Sequence, residues 1–265
     1  MNVDTGALDR FVKGIGTGAI DVVDLTHTLG PATPMIKVPE GHGKQPPSTS
    51  LETISDYRED GGYSRWSTLT TAEHAGTHFD TPSHWFTGGD HENASTDTID
   101  VERFVAPACV INCVEDVRKD EDFILTADRL LAWEEEHGQI PAGSWVLLHS
   151  GWADRFDDPD RFLNQIDGVA HSPGPDPAAV RLMIERDACG YGTETIGTDH
   201  GNANQFDPVF PAHNLMHGDN RFGMSSLNNL DKLPPIGAVI VTAPLKIIDG
   251  SGSPLRVLAF VPAAA

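Results

Sequence analysis

Residues 104–149 read FVAPACVINCVEDVRKDEDFILTADRLLAWEEEHGQIPAGSWVLLH and follow the order strand, helix, strand. Residues 104–114 form an apolar run that predicts a buried strand. Residues 126–137 begin with a threonine suited to the N-cap position, have apolar residues at helical spacing and are followed by Gly138, a typical stop. Residues 144–149 are again strand-like. Buried strands separated by a helix are typical of an α/β domain.

The same alternation extends over most of the chain. A second helix is predicted at residues 177–187, where the apolar residues share one face. Further strands are expected at residues 19–26, 66–73, 191–197, 238–243 and 257–261. The chain of 265 residues has no internal repeat and no low-complexity linker, so we interpret residues 1–265 as a single domain. Residues 31–65 are expected to form an arm or a long loop.

Composition restricts the partners of the protein. The formal net charge is −21, whereas nucleic acids and anionic membrane surfaces bind clusters of Lys and Arg. No basic region followed by an apolar one opens the sequence, and the longest apolar run, residues 237–245, is too short to span a bilayer. The three cysteines form no Cys-x-x-Cys pair and are expected to be reduced core thiols. We therefore predict a cytoplasmic protein without nucleic-acid or membrane partners.

Residues 74–84, HAGTHFDTPSH, concentrate the groups that can carry chemistry. Four titratable side chains fall at even positions: His74, His78, Asp80 and His84. On an extended backbone such side chains point to one face, and Gly76 and Pro82 disfavour a continuous helix. We therefore predict a strand that bends at Gly76 and brings several ligands to one point. Two imidazoles and one carboxylate suit Zn²⁺, Mn²⁺ or Fe²⁺.

A metal site of this kind can catalyse hydrolysis. A bound divalent ion lowers the pKa of its water from about 15.7 to about 7, so hydroxide becomes available at neutral pH. The fourth group, His84, is not needed as a ligand. An imidazole there can take a proton from the nucleophile and return it to the leaving group.

The segment HAGTHFDTPSHW, residues 74–85, resembles the pattern His-x-Gly-Thr-His-x-Asp-x-Pro-x-His of the cyclase family of metal-dependent hydrolases. Further stretches resemble the family in its own order: residues 24–27, 33–34, 196–199, 210–215, 227–234, 243–246 and 252–256. The resemblance implies an α/β domain of the swivelling β/α type, with a central mixed, barrel-like β-sheet flanked by helices. It also implies a metal-dependent hydrolase.

Matched position by position, the resemblance implies three metal ligands: His74, His78 and Asp80. His84 matches the catalytic base. His213 matches a residue that binds a second ion in two-metal members, which carry a glutamate twelve positions further on. Ser225 occupies that position here and is followed by Ser226, so we expect one divalent ion, Mn²⁺ in the first place and Zn²⁺ in the second. His213 is then expected to contact substrate or metal-bound water, with both serines providing hydroxyls to the substrate pocket.

Within the family, which includes kynurenine formamidases and isatin hydrolases, the chain looks most like the isatin hydrolases. Its arm before His74 is longer than that of the formamidases, and their Trp-Pro-Gly-Asp is absent after Thr33-Pro34. The expected reaction is opening of a cyclic amide, isatin to isatinate, with N-formylkynurenine or a lactone as alternative substrates. Aromatic residues expected to hold a small, flat substrate are Tyr63, Trp66, Trp85, Phe86 and Phe206. The family resemblance also implies a homodimer or larger homo-oligomer, in which the partner subunit can contribute aromatic residues to the pocket.

Two readings from other classes compete with the hydrolase. His78-Phe-Asp80, His213 and a following Arg221 satisfy the sequence pattern of a non-haem Fe(II) oxygenase. The unused His74 and His84, and helices where a jelly roll would be nearly all strands, argue against it. A metal-binding module without catalysis would not need His84, which is ionisable and lies beyond a three-ligand site.

Overall fold

Fifteen short strands and five α-helices occur in the described part of the chain, residues 6–38, 43–59 and 61–263 of a computed structural model. The helices are α1 Gly6–Thr17, α2 Val114–Lys119, α3 Ala127–His137, α4 Pro159–Leu163 and α5 Pro177–Glu185. The strands are β1 Ile20–Asp24, β2 Ser50–Ser55, β3 Trp66–Thr70, β4 His78–Asp80, β5 Val105–Asn112, β6 Ile124–Leu125, β7 Trp145–His149, β8 Gln165–Ile166, β9 Val169–Ala170, β10 Gly174–Pro175, β11 Gly190–Thr193, β12 Phe222–Ser225, β13 Ala238–Val241, β14 Gly252–Pro254 and β15 Leu258–Pro262.

Nine of these strands form one mixed sheet in the order β1-β15-β13-β5-β7-β11-β12-β4-β14. The central strands β5, β7, β11 and β12 are parallel to one another, and the strands on either side are antiparallel. The sheet is a half-barrel flanked by helices. The predicted α/β fold with a central mixed sheet is therefore confirmed.

Both faces of the central strands are buried. Ile111 and Leu148 pack on one face with residues of α3 and α5, whereas Trp145 and Leu147 pack on the other face with Phe79 of β4. Because successive side chains of a strand point to opposite faces, a strand covered on both sides is a continuous apolar run. Full burial of each large side chain contributes about 1.5–3 kcal/mol to stability.

The two helices predicted from sequence are both present, with capping residues at their first turns. The hydroxyl of Thr126 accepts a hydrogen bond from the Arg129 N–H at 3.2 Å, and α3 ends at Gly138, whose φ is 92°. The Asp176 carboxylate accepts the Ala179 N–H at 2.7 Å at the start of α5, which ends two residues before the predicted boundary. The predicted strands are present too, with boundaries that differ from the prediction by up to four residues.

Three further helices, α1, α2 and α4, were not predicted. α1 has no buried residue. It packs on the sheet through Phe11, whose ring lies edge-on to that of Phe260 at 5.0 Å between centroids. The predicted arm, residues 31–65, contains β2, which pairs with β3 in a separate antiparallel hairpin. The hairpin presents exposed Leu51 and Leu69. No helix in the described residues is long and apolar enough to cross a membrane.

Candidate metal centre and active site

His74, His78 and Asp80, the three predicted metal ligands, meet beside β4. One ligand atom from each lies within 4.8 Å of the other two. His74 Nδ1 is 2.7 Å from Asp80 Oδ1, and His78 Nε2 is 3.4 Å from the same oxygen. Two imidazoles and a carboxylate in this arrangement can hold a divalent cation.

The backbone brings these groups together in a different way from the predicted continuous strand. Only His78 and Asp80 lie on β4, where even spacing places them on one face. His74 lies before a turn at Gly76, whose φ of 59° is in the left-handed region, so the predicted bend is present. His84 lies at the end of the 3₁₀ helix Pro82–His84, which begins with a proline. The predicted alternation of side chains along a strand therefore applies to only two of the four titratable residues, His78 and Asp80, because β4 is only three residues long.

Glycines on the two strands beside β4 leave space for the ligand side chains. Gly252 of β14 and Gly223 of β12 both face Asp80 in register. A Cβ added to Gly252 would lie 2.4 Å from His74 Cε1, and one added to Gly223 would lie 2.8 Å from Asp80 Oδ2. Both positions therefore require glycine for the present side-chain geometry, and the sequence analysis identified neither.

The electrostatic setting of Asp80 favours a bound cation. The carboxylate is 1% exposed, and its ion-pair partners among the described residues are His74 and His78, without a Lys or Arg. Burial alone would raise the pKa of Asp80, but the charge of His78 and the neighbouring imidazoles of His74 and His84 hold it well below its usual value. A buried anion facing imidazole nitrogens fits a divalent metal ion.

His84, the predicted base, lies next to this group. Its ring centroid is 3.8 Å from that of His74 and 5.4 Å from that of His213. Burial lowers the pKa of His84 to about 3; Asp80 opposes this shift, and the neighbouring histidines add to it. The imidazole is therefore neutral near pH 7 and can accept a proton.

His213 and His217 lie on the π-helix Ala212–His217, with ring centroids 5.4 Å and 6.1 Å from that of His84. With Asp80 they form a second group of possible ligand atoms within 4.8 Å. His217 Nδ1–H donates a hydrogen bond to the carbonyl oxygen of Arg221 at 3.0 Å, while its buried Nε2 has no hydrogen-bond partner within the described residues. The sequence analysis missed His217, although its spacing of four from His213 places both on one face of a helical segment.

Asp199 fixes the orientation of His213. Its Oδ2 accepts a hydrogen bond from His213 Nδ1, and its Oδ1 accepts the Ala212 N–H at 2.7 Å. Burial would lower the pKa of His213, but the hydrogen bond and the charge of Asp199 raise it overall. His213 therefore carries a proton to higher pH than an ordinary histidine, unlike His84.

Trp85 is the one predicted pocket aromatic with a ring contact to a site histidine among the described residues. Its ring centroid is 4.6 Å from that of His213 and 5.7 Å from that of Phe210, a residue that sequence reasoning missed. Its indole N–H donates to Asn214 Oδ1 at 3.1 Å, which holds the ring in place.

The other predicted pocket aromatics lie differently. Tyr63 and Phe86 are exposed, and Trp66 is 58% exposed on the β2–β3 hairpin. Phe206 packs edge-on against His200 at 5.8 Å between ring centroids.

The two predicted serines differ in their surroundings. Ser225 faces His78 across the β12–β4 ladder, is fully buried, and its hydroxyl has no hydrogen-bond partner in the part of the chain described. Ser226 has its hydroxyl 3.5 Å from the Thr195 carbonyl, and its own carbonyl accepts the hydroxyl of Thr77. Ser225 is therefore free to bond to a ligand, whereas Ser226 links neighbouring loops.

The oxygenase reading does not fit the structure. Arg221, required to follow the facial triad, donates to the Asp219 and Asp187 carboxylates and to the Ala188 carbonyl. The sheet has four parallel central strands flanked by helices, which is not a jelly roll.

The model of the Cyclase family matches residues 23–200. The chain therefore belongs to the cyclase family, as the resemblance in its sequence predicted, and it is a metal-dependent hydrolase.

The proteins similar to this chain include isatin hydrolases and a kynurenine formamidase. Isatin hydrolase of Roseibium aggregatum is 48% identical over 257 residues, 96% of this chain and 98% of that protein. The crystal structure of an isatin hydrolase bound to product analogue thioisatinate is similar with a TM-score of 0.96 and 46% identity, covering 98% of this chain and 99% of that one. Kynurenine formamidase of Geobacillus thermodenitrificans is 26% identical over 195 residues, 71% of this chain and 76% of that protein.

Proposed function

We propose that this protein hydrolyses isatin to isatinate. The observation that carries the proposal is the 48% identity with an isatin hydrolase over nearly the whole of both chains. The convergence of His74, His78 and Asp80 beside a neutral His84 supports it, since ring opening of an amide needs a nucleophilic oxygen and a proton carrier.

His74, His78 and Asp80 would hold a divalent ion, which supplies a water of lowered pKa and polarises the amide carbonyl. His84 takes a proton from the attacking water as the new carbon–oxygen bond forms. It then gives this proton to the ring nitrogen as the carbon–nitrogen bond breaks, and the amine remains attached to the product. His213, protonated and held by Asp199, donates to the carbonyl oxygen while negative charge develops there.

Substrate selection is assigned to the face formed by Trp85 and Phe210. The Trp85 ring centroid lies 4.6 Å from that of His213 and 5.7 Å from that of Phe210, and tilted ring contacts of this kind suit a flat bicyclic ring. Ser225, whose hydroxyl is unpartnered within the described residues, is proposed as a polar contact to the substrate, and Ser226 as a neighbour that shapes the loop. Tyr63, Trp66 and Phe206 are proposed to contribute to the pocket in an assembled oligomer.

The finer properties belong to the same proposal. We expect one tightly bound ion per chain, because the neutral Ser225 provides no carboxylate for a second ion. Mn²⁺ is the first expectation for this ion and Zn²⁺ the second. We also propose a single domain over residues 1–265 with residues 31–65 as an arm, a homodimer or larger homo-oligomer, and a cytoplasmic location.

Formamidase activity on N-formylkynurenine is the second candidate, favoured by the relative of that name at 26% identity. It requires a pocket that also accepts the charged amino-acid tail of that substrate. A steady-state comparison decides between the two. We expect kcat/KM for isatin to exceed that for N-formylkynurenine, and the reverse order would replace the isatin assignment by the formamidase.

A pair of histidine variants tests the assigned roles. His78→Ala should lose the ion and activity together, whereas His84→Ala should keep the ion and lose about 10²–10⁴ in rate. His137→Ala, at the end of α3, is the matched control and should retain both. Loss of the ion in His84→Ala would make His84 a ligand, and full activity after chelation and demonstrated metal removal would refute the metal-dependent reaction. Two tightly held ions per chain by elemental analysis would refute the one-ion expectation.

A further inference from the structure

A chain of hydrogen bonds leads from His74, through its nitrogen that does not face Asp80, to Ser251 and then to Glu73. His74 Nε2 is 3.0 Å from the Ser251 hydroxyl oxygen, and that hydroxyl donates to Glu73 Oε2 at 2.7 Å. Ser251 directly precedes β14, so this contact joins groups 177 residues apart in sequence. Neither Glu73 nor Ser251 has a role in the proposed reaction.

The direction of these hydrogen bonds determines which nitrogen of His74 carries the proton. A hydroxyl has a single hydrogen, and a carboxylate only accepts. Because Ser251 donates its hydrogen to Glu73, its oxygen is left to accept from His74 Nε2–H. The proton of a neutral His74 therefore sits on Nε2, and the lone pair of Nδ1 points at Asp80 Oδ1, 2.7 Å away.

Two acceptor atoms at this distance repel each other unless a proton or a metal ion lies between them. The orientation of His78 is fixed in the opposite sense, because its Nδ1 donates to the Gly76 carbonyl at 2.7 Å and leaves Nε2 to face Asp80. The two imidazoles thus present different nitrogens to the same carboxylate oxygen.

We propose that Glu73 and Ser251 are positioning residues that fix His74 as the Nε2–H tautomer, so that His74 binds the metal ion through Nδ1 whereas His78 binds it through Nε2. Partners of this kind around a metal-bound histidine typically change metal affinity by about 10–100-fold. The proposal rests on the metal-dependent hydrolysis proposed above and concerns residues that do not touch the substrate.

The test measures Mn²⁺ affinity of the purified protein by competition with a fluorescent chelator. Ser251→Ala removes the acceptor for His74 and should weaken Mn²⁺ binding by about 10–100-fold. Ser251→Thr keeps the hydroxyl and should restore affinity to within about threefold. Glu73→Gln can donate to Ser251 and reverse the direction of the chain, so it should also weaken binding by at least about tenfold.

Ser253→Ala is the matched control. Ser253 is fully buried on β14, two residues after Ser251, but its hydroxyl accepts the Leu245 N–H at 3.1 Å and makes no hydrogen bond to His74 or Glu73 among the described residues. Damage to β14 alone would weaken Mn²⁺ binding in Ser253→Ala as much as in Ser251→Ala, and that result would overturn the proposal. A spectroscopic measurement is independent of affinity. In the Zn²⁺-loaded protein labelled with ¹⁵N-histidine, long-range proton–nitrogen spectra should show His74 protonated at Nε2 and His78 protonated at Nδ1, and the same protonated nitrogen in both would overturn it.

The outcomes separate this proposal from the proposed function. If the wild-type protein binds Mn²⁺ and opens isatin while Ser251→Ala binds Mn²⁺ within threefold of wild type, the positioning role fails and isatin hydrolysis stands. If Ser251→Ala weakens Mn²⁺ binding but the wild-type protein does not turn over isatin, the positioning role stands and the proposed function fails.

Discussion

Replacing Gly252 by alanine tests whether the space beside His74 is required for the metal site. A Cβ at this position would lie 2.4 Å from His74 Cε1, 2.9 Å from His74 Nδ1 and 2.5 Å from the Phe79 carbonyl oxygen. Carbon atoms in ordinary contact are about 3.5–4.0 Å apart, so the variant needs a displacement of about 1 Å. Phe79 O belongs to the backbone of β4 and moves only if the strands separate, whereas the His74 ring can rotate.

The expected loss of Mn²⁺ affinity follows from how little metal–ligand distances can vary. A small separation of β14 from β4 relieves the contact with Phe79 O and weakens ladder hydrogen bonds worth about 0.5–1.5 kcal/mol each, and the His74 ring has to rotate to relieve the remaining contacts. Metal–ligand distances tolerate only about 0.2 Å, and a ligand displaced by about 1 Å no longer binds. We therefore expect Mn²⁺ affinity to fall by at least about 100-fold, or about 2.8 kcal/mol at 1.4 kcal/mol per factor of ten. Overpacking should lower the free energy of unfolding of the metal-free protein by about 1–3 kcal/mol.

The assay is a Mn²⁺ titration of metal-free wild-type and variant protein, with urea unfolding of both. Gly197→Ala is the control, because a Cβ added to Gly197 has no heavy atom within 4 Å outside its own chain neighbours. Gly252→Ala that binds Mn²⁺ within about threefold of wild type would refute the reasoning.

Further predictions concern pH dependence and packing. Asp199→Asn should move the alkaline limb of kcat/KM to lower pH, because Asp199 raises the pKa of His213 against the effect of burial; an unchanged limb would contradict a protonated His213. Burial lowers the pKa of His27 from 6.5 to about 4, so below pH 6.5 the unfolded chain takes up a proton that the folded protein excludes. Between pH 7 and pH 4.5, the free energy of unfolding of the wild type should therefore fall by about 1 kcal/mol more than that of His27→Gln, a value that already allows for the partial exposure of His27. Equal losses for both proteins in urea titrations would argue against the lowered pKa of His27. Leu130→Ala in the buried face of α3 should cost about 2–5 kcal/mol in the same assay, and a loss below about 1 kcal/mol would contradict the packing.

The sequence predicts elements whose burial and capping are local. α3 has its cap at Thr126 and its stop at Gly138, and β5 and β7 are apolar on both faces, so their patterns are unambiguous. α1 escapes prediction because Gly14 and Gly16 lower its helix propensity by about 1 kcal/mol each and none of its residues is buried. The helical spacing of its apolar residues Leu8, Phe11, Val12 and Ile15 is nevertheless visible in the sequence, and the sequence analysis missed it.

The same distinction applies to the site. The ligands in residues 74–84 are close in sequence, so composition and spacing reveal them. Gly252 and Ser251 approach His74 only through the pairing of β14 with β4, and strand register over such a separation is not visible in spacing. His217 lies between these cases, because its helical spacing from His213 is visible whereas the direction of that face toward Asp80 is not.

The charges of the site suit the proposed reaction. Among the described residues, Asp80 is the carboxylate common to both groups of possible ligand atoms, and the neutral Ser225 faces His78. In the proposed one-ion site, a divalent ion held by Asp80 and two neutral imidazoles would have a net charge of about +1, whereas the charge of protonated His213 is balanced by the Asp199 carboxylate. Isatin is neutral, but negative charge develops on its carbonyl oxygen during attack, and a positive centre stabilises that charge more than it stabilises the bound substrate. The product is an anion, and a chain of net charge −21 disfavours its retention once it leaves this centre. In the proposed one-ion site, the neutral Ser225 therefore leaves the positive charge of the ion available to the oxygen on which negative charge develops.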